Sequence, residues 1–443
     1  MTNERSNLVL GKMVIIGNPI IAHYNSHFDD TLKTSGLNHL DRLTESIIVL
    51  NNPTINNIAN KCIEQVDQST INRFINDPNW DPYKFNNRRL EFLQENRQTR
   101  STNNGFTIID DSILEKTGVK IEGTDYHFSN SKNKSINGHD FVSSHYFDRK
   151  KKYPLHSKLY RRKQELKKNG IPEQFKTKVE LAIELIDESI KCGIAFNCCI
   201  FDAWYFTRAI CDHLKSKGID WVSRAKSNRV VNLPIGKKNL KTYIENLNAD
   251  QFSRLPAPVY LEDEKTRKEI KYQFIYEAVL NISDIGNIKC VVIKKNLKDN
   301  ESIILVSNRL DWTAQRIIQI YKNRWQIETF YRDAKQNLGL DKYQLRSIKG
   351  IERYWVLVFH SYTFLQYCKL FGIFSSLLDA PCRTTGEKIQ RFQDLNVKYF
   401  VNLIISLNRS NANLNEIYQV ILKGKYKRNG KTRNKIKFEV KNC

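Results

Sequence analysis

Tyr321, Arg324, Glu328 and Lys335 follow one another with the spacing Y-x2-R-x3-E-x6-K. If Ala314–Leu338 is one helix, the last three fall at about 300°, 340° and 320°, within roughly 60° of Tyr321 at ~100° per residue. All four side chains then share a face, and Ile318, Trp325, Phe330 and Ala334 take the opposite arc. Alone, such a stripe reads equally well as a solvated surface with i,i+4 pairing. It becomes a site only if the fold brings other chemistry to it.

Two other stretches supply that chemistry. Phe106–Ile109 is a β-rich run leading into Asp110, Asp111 and Ser112, and the apolar run Phe196–Phe201 ends on Asp202. Carboxylates at the ends of buried strands are costly to ionise unless a positive charge joins them. Hard divalent cations choose oxygen ligands, and Mg²⁺ takes one or two carboxylates together with water and phosphate oxygens. Two strand-borne aspartates and a helix-borne glutamate, drawn together, would hold a pair of ions ~3.5–4 Å apart. That arrangement suits in-line displacement at a phosphodiester.

With these residues in view, the spacing resembles the signature of a large group of DDE transposases from bacterial and archaeal insertion sequences, including Trp325 directly after the arginine in RWQIE. The resemblance runs from about Asn104 to Tyr367 and takes in IIDDS, FDAWY and WVSRAKSN. It implies an α/β, ribonuclease-H-like mixed sheet with flanking helices, interrupted by a mainly β insertion. Carried over by position, it implies Asp110, Asp202 and Glu328 as the catalytic, metal-binding triad for two Mg²⁺ ions, with Mn²⁺ as a substitute. Asp110-Asp111-Ser112 fits the family pattern with Asp110 first, and Asp111 stays open as the alternative ligand. Arg324 and Lys335 would hold DNA phosphates, as a fork and a point charge respectively. Tyr321 would meet the terminal phosphate or strand end, and Trp325 is expected in the core. The implied reaction is cleavage at transposon ends and strand transfer of the 3′-hydroxyl into target DNA, through a hairpin intermediate and within a homodimer. The rival readings are a nuclease of the same fold without strand transfer, and a domesticated or regulatory DNA-binding protein.

The composition agrees with such a partner. The chain carries 71 Lys+Arg against 47 Asp+Glu, a net charge of +24. Self-repulsion of that size is relieved by an anion, and double-stranded DNA presents a charge every ~1.7 Å. Hydrophobic residues make up 40% of the chain, enough for a sizeable core, and no run reaches the ~20 apolar residues of a membrane span. The polar start, Met1–Lys12, lacks an apolar signal stretch, so the expected location is cytoplasmic, nucleoid-associated when bound to DNA. The nine cysteines form no CxxC pair, and Cys198 and Cys199 read as small buried hydrophobes.

Pattern divides the chain at residues 1–103, 104–228, 229–308, 309–371 and 372–443. The first part is helical, with a helix-turn-helix-like pair at 54–77 in which Asp67 caps the second helix. That helix would offer Gln68, Ser69, Asn72 and Arg73 to a DNA groove. The second part alternates strands and helices, and the third is a β-rich insertion. The fourth returns to helix with Glu328, and the last is a helical region with the basic tail Lys423–Lys441. Lys226 and Arg229, beyond the strand Trp221–Ala225, are further candidates for phosphate contact. So is the basic group Arg149–Lys152, Lys158 and Arg161–Lys163, against the commoner reading of a solvated face. His139 and His145 are expected to be structural.

Overall fold

A computed structural model describes residues 15–415, apart from 51, 64–65, 77–78, 119, 130–131, 235, 263–268, 299–300, 375–381 and 411–412. The polar start Met1–Lys12 and the basic tail Lys423–Lys441 lie outside the described residues.

Five helices come first: α1 (Pro19–Asn25), α2 (Thr34–Val49), α3 (Ile55–Lys61), α4 (Gln68–Asn76) and α5 (Pro82–Glu95). Asp67 accepts the Ser69 amide at 2.7 Å, the cap expected at the head of α4. Ile71, Phe74 and Ile75 of α4 are buried, and Gln68, Ser69, Asn72 and Arg73 are exposed.

The alternating part follows as β1 (Phe106–Glu115), β2 (Asp125–Ser129), β3 (Lys134–Phe147), β4 (Lys152–Tyr160), α6 (Lys163–Lys168), α7 (Lys178–Lys191), β5 (Cys198–Phe201), α8 (Arg208–Ser216) and β6 (Asp220–Arg224). β1, β3 and β4 form an antiparallel meander. β5 and β6 then join parallel to β1, each after a crossover helix. This is the ribonuclease-H-like arrangement of a mixed sheet with helices on both faces.

The chain from β6 onward extends the same sheet with β7 (Val230–Leu233), β8 (Gly236–Asn239), the short helix α9 (Leu240–Glu245), β9 (Ser253–Glu262), β10 (Glu269–Ile282), β11 (Gly286–Lys294) and β12 (Ile303–Ser307). β12 closes back antiparallel on β6. The twelve-stranded sheet therefore runs β2-β3-β1-β5-β6-β12-β11-β10-β7-β8, with β4 on β3 and β9 on β10. Four helices end the described chain: α10 (Ala314–Lys322), α11 (Trp325–Asn337), α12 (Ile348–Leu370) and α13 (Thr385–Arg409).

Alternation along the strands divides the core in two. Ile108, Ile200 and Val222 face Ile327, Phe330 and Trp355 on one side. Ile109, Cys199, Phe201 and Trp221 face Leu181, Leu185 and Leu214 on the other. α12 is apolar around nearly its whole circumference and is accordingly buried. The eight cysteines among the described residues are free thiols.

Several sequence expectations are corrected. β1 does not stop at Ile109, because it pairs with β3 from Phe106↔Phe147 through Glu115↔Gly138. Asp110 and Asp111 therefore sit within a strand rather than at its end. β4, read from sequence as part of a basic run, is an outer strand of the meander. Its Lys158 meets Glu184 at 3.2 Å, and Arg161 beside it meets Glu165 at 2.6 Å. Both of these charges are already paired with carboxylates of the chain. The expected single helix Ala314–Leu338 is two helices, joined by a tight turn in which Arg324 N–H bonds the Tyr321 carbonyl and Ile327 N–H that of Arg324. Such i→i−3 turns advance ~120° per residue, which shifts the phase of everything downstream. Trp325, expected in the core, is 39% exposed as a result.

The helical layer is fastened to the sheet through Arg89, which is fully buried on α5. Its guanidinium donates to Asn86 Oδ1 (2.7 Å), Thr363 Oγ1 (2.8 Å) and the carbonyls of Pro154 (3.0 Å) and Leu155 (2.9 Å). None of these is a carboxylate, and burial lowers the Arg89 pKa to about 10. Arg89→Ala is expected to cost roughly 3 kcal/mol or more, from lost buried hydrogen bonds and a cavity. Chemical denaturation would measure it, and a loss under about 1 kcal/mol would contradict this account.

His139 is structural in its contacts, as expected. Its ring nitrogens meet the Tyr343 hydroxyl at 2.7 Å and the Glu122 carbonyl at 2.8 Å. His145 packs on Phe330, with ring centroids 5.2 Å apart.

Candidate active site

The parallel ladder between β1 and β5 pairs Ile109 with Phe201. Asp110 and Asp202 are the next residue on each, so they occupy matching positions on adjacent strands, whose spacing is ~4.8 Å. Ile109 and Phe201 point into the core under α7 and α8. Alternation turns the following two carboxylates to the opposite face, where α11 lies. Asp202 is held by its own turn, its Oδ1 accepting the amides of Trp204 (2.9 Å) and Tyr205 (3.3 Å).

Glu328 comes to the same place on α11. Ile327, Phe330, Tyr331 and Ala334 bury the inner side of that helix, and two polar contacts fix its position along β1. The Tyr331 hydroxyl donates to the Asp110 carbonyl at 2.8 Å and meets Ser143 Oγ at 2.9 Å. Lys335 Nζ donates to Ser112 Oγ at 2.7 Å and to the Ile113 carbonyl at 3.0 Å.

Arg324 joins the carboxylates. One guanidinium nitrogen lies 2.7 Å from Asp110 Oδ2 and another pairs with Glu328 Oε1. The Asp110, Arg324 and Glu328 side chains are only 13%, 15% and 16% exposed, so these pairs are poorly screened. Burial holds the Asp110 carboxyl well above its ordinary range, with Arg324 pulling down and Asp202, Asp111 and Glu328 pushing up. Burial also raises Asp202. Among the described residues, no group of three or more His, Cys, Asp or Glu stands close enough to hold a metal ion as placed. The Arg324 fork between Asp110 and Glu328 gives the physical reason. The donor set still fits a hard cation: three carboxylates share one face, two of them raised by burial and relieved by positive charge.

Asp111, the alternative first ligand from sequence, points to the other face. It accepts Lys178 Nζ at 2.7 Å and the Tyr205 hydroxyl at 2.8 Å.

The remaining candidates are placed unevenly. Tyr321 is buried, with the Arg324 guanidinium 5.9 Å from its ring centroid. Burial lowers the Lys335 pKa. Lys226 is exposed at the Asp202 end, 4.7 Å from the ring centroid of Trp204. Arg229 donates to the Phe206 carbonyl and lies 5.1 Å from that ring's centroid. Arg73 is outside this group, exposed on α4 and 3.3 Å from Thr70 Oγ1. Sequence reasoning passed over Trp204, Tyr205, Lys178 and Tyr331. Trp204 is 56% exposed two residues after Asp202, and it stood in plain sight in FDAWY.

Two family models overlap across this region. The model for DDE superfamily endonucleases matches residues 47–239. The transposase DDE domain model matches residues 176–364. Together the two matches support a DDE transposase. No curated protein matches the chain in sequence. The two DDE matches overlap from α7 through β8, and between them they span Asp110, Asp202 and Glu328. No helix among the described residues is long and apolar enough to cross a membrane.

Proposed function

We propose that this DDE protein cleaves DNA at the ends of a mobile element and transfers the freed 3′-hydroxyl to a target strand. The observation carrying the proposal is that Asp110 and Glu328 share the Arg324 guanidinium, with Asp202 following the neighbouring parallel strand at the matching register, in a chain with two DDE matches. Asp110, Asp202 and Glu328 would hold two Mg²⁺ ions, with Mn²⁺ able to replace them. When bound, such ions supply Lewis-acid stabilisation of charge at a phosphoryl centre.

The protein's own groups orient the DNA. Arg324 exchanges its carboxylates for phosphate oxygens, which its planar fork fits equally well. Lys226 and Arg229 meet the backbone on the Asp202 side, Lys335 along β1, and Tyr321 takes the strand end. A hairpin at the element end, as the Y-x2-R-x3-E-x6-K branch implies, would bend the strand sharply beside Trp204 and Trp325. Arg73, with Gln68, Ser69 and Asn72 on α4, reads duplex DNA at a distance from the chemistry. Two copies act together to hold two ends.

The test is incubation of purified protein with labelled element-end DNA and a target plasmid, with and without Mg²⁺. Joined product that requires Mg²⁺ is the expected result. Cut but unjoined DNA would replace this reading with that of a nuclease. Binding without metal-dependent chemistry would leave a regulatory DNA-binding protein.

A further inference from the structure

Behind the sheet, on the face away from Glu328, Lys178, Asp111, Asp140 and Tyr205 form a polar cluster, with His127 Nδ1 3.4 Å from Asp140 Oδ2 at its edge. Lys178 opens α7, and its Nζ lies 2.7 Å from Asp111 Oδ2 and 2.6 Å from Asp140 Oδ2. The Tyr205 hydroxyl donates to the other Asp111 oxygen at 2.8 Å. Tyr205 and Asp140 are almost fully buried, 0% and 2% exposed. Two carboxylates around one ammonium are an expensive way to stabilise a core, because apolar side chains of similar volume generally do as well or better. The set does something apolar residues would not do. Tyr205 donates its backbone N–H to Asp202 Oδ1 while its hydroxyl is held by Asp111 on β1. One residue thus ties the Asp202 turn to the strand that carries Asp110.

We propose that Tyr205, Asp111 and Lys178 are positioning residues that set the aim of the Asp202 carboxylate, and through it the affinity of the site for divalent cations. They touch neither DNA nor cation. Lys178 orients Asp111, Asp111 anchors the Tyr205 hydroxyl, and the anchored Tyr205 presents its amide to Asp202. The inference rests on the reading of Asp202 as a metal-binding residue. Removal of such supporting contacts typically costs ~10–100-fold in metal affinity or activity.

The experiment uses Tb³⁺ as the probe, with luminescence sensitised by the exposed indoles Trp204 and Trp325, alongside the Mg²⁺ dependence of DNA cleavage. Tyr205→Phe keeps the buried ring and removes one hydroxyl. Its Tb³⁺ midpoint and its half-saturating Mg²⁺ are expected to rise about tenfold or more, with KM for DNA unchanged. Leu214→Ala, in the core under α8, serves as a control of comparable thermal destabilisation and should move neither midpoint. Asp111→Asn retains an acceptor for Tyr205 and should lie between Tyr205→Phe and wild type, which keeps the test alive if Tyr205→Phe does not fold.

Unchanged metal dependence in Tyr205→Phe, with wild type still cleaving DNA, would overturn the proposal alone. Complete loss of cleavage in Asp111→Asn, equal to that of Asp110→Asn, would make Asp111 a ligand itself and also overturn it. Should wild type neither bind Tb³⁺ in an Asp202-dependent way nor cleave DNA with Mg²⁺, the proposal and the DNA-cleavage reading fall together.

Discussion

Glu328→Gln is expected to lose metal-dependent DNA cleavage by on the order of 10³-fold, the scale on which one preorganised electrostatic group acts. The substitution keeps the shape of the side chain and removes its charge. DNA binding should change little, because the exposed cations assigned to DNA, Lys226 and Arg73 among them, are untouched. Stability should fall only modestly. Glu328 lies in the first turn of α11, where its charge complements the helix dipole by about 0.3–1 kcal/mol. Arg324 loses one partner but retains Asp110 at 2.7 Å. Cleavage of labelled DNA in Mg²⁺, read beside fluorescence anisotropy for binding, separates these effects. Cleavage at the wild-type rate would remove Glu328 from the proposed triad. Loss of binding in proportion to cleavage would make it a DNA-contact residue instead.

The strands and helices that carry the carboxylates were legible from local pattern. Phe196–Phe201 reads as a buried strand, and Asp202 as the carboxylate that must follow it. Asp67 announces the start of α4. The face of each aspartate was not legible. Alternation dictates that Asp110 and Asp111 point oppositely, but which face receives α11 depends on a crossover more than two hundred residues downstream. Lys178, Asp140 and Tyr205 were passed over for the same reason. They come from different elements, and nothing local marks them as partners. β4 was hidden by its composition, since Pro154 and a run of lysines argue against a strand. The structure accommodates the proline beside a register shift near Ser143, on a strand paired with β3. The helix break at Arg324 left no mark either. A uniform 100° step was assumed there, and one tight turn was enough to expose Trp325 and to swing Arg324 between Asp110 and Glu328.

That position of Arg324 leads to the second large effect. Arg324→Ala should destabilise the metal-free protein by roughly 3–5 kcal/mol, the usual cost of removing one partner from a buried ion pair. Two little-exposed carboxylates would lose the guanidinium they now share. A divalent cation is the natural replacement, so Mg²⁺ or Ca²⁺ should raise the melting temperature of Arg324→Ala more than that of wild type. Acidity supplies an independent sign. The folded Asp110 pKa is already raised by burial, and removing Arg324 raises it further. A carboxyl raised in this way contributes stability that is fully present below its unfolded pKa of ~3.9 and is lost as the pH rises through the folded value. The deficit of Arg324→Ala relative to wild type should accordingly be greater at about pH 8 than at about pH 5. Arg324→Lys would recover only part of the loss, because a single ammonium cannot reproduce a fork that serves Asp110 and Glu328 from separate nitrogens. Thermal melts of wild type, Arg324→Ala and Arg324→Lys at both pH values, with and without cation, decide the matter. An Arg324→Ala protein as stable as wild type without metal would show that the carboxylates do not depend on the guanidinium. A cation effect equal in both proteins would mean that the ion binds elsewhere.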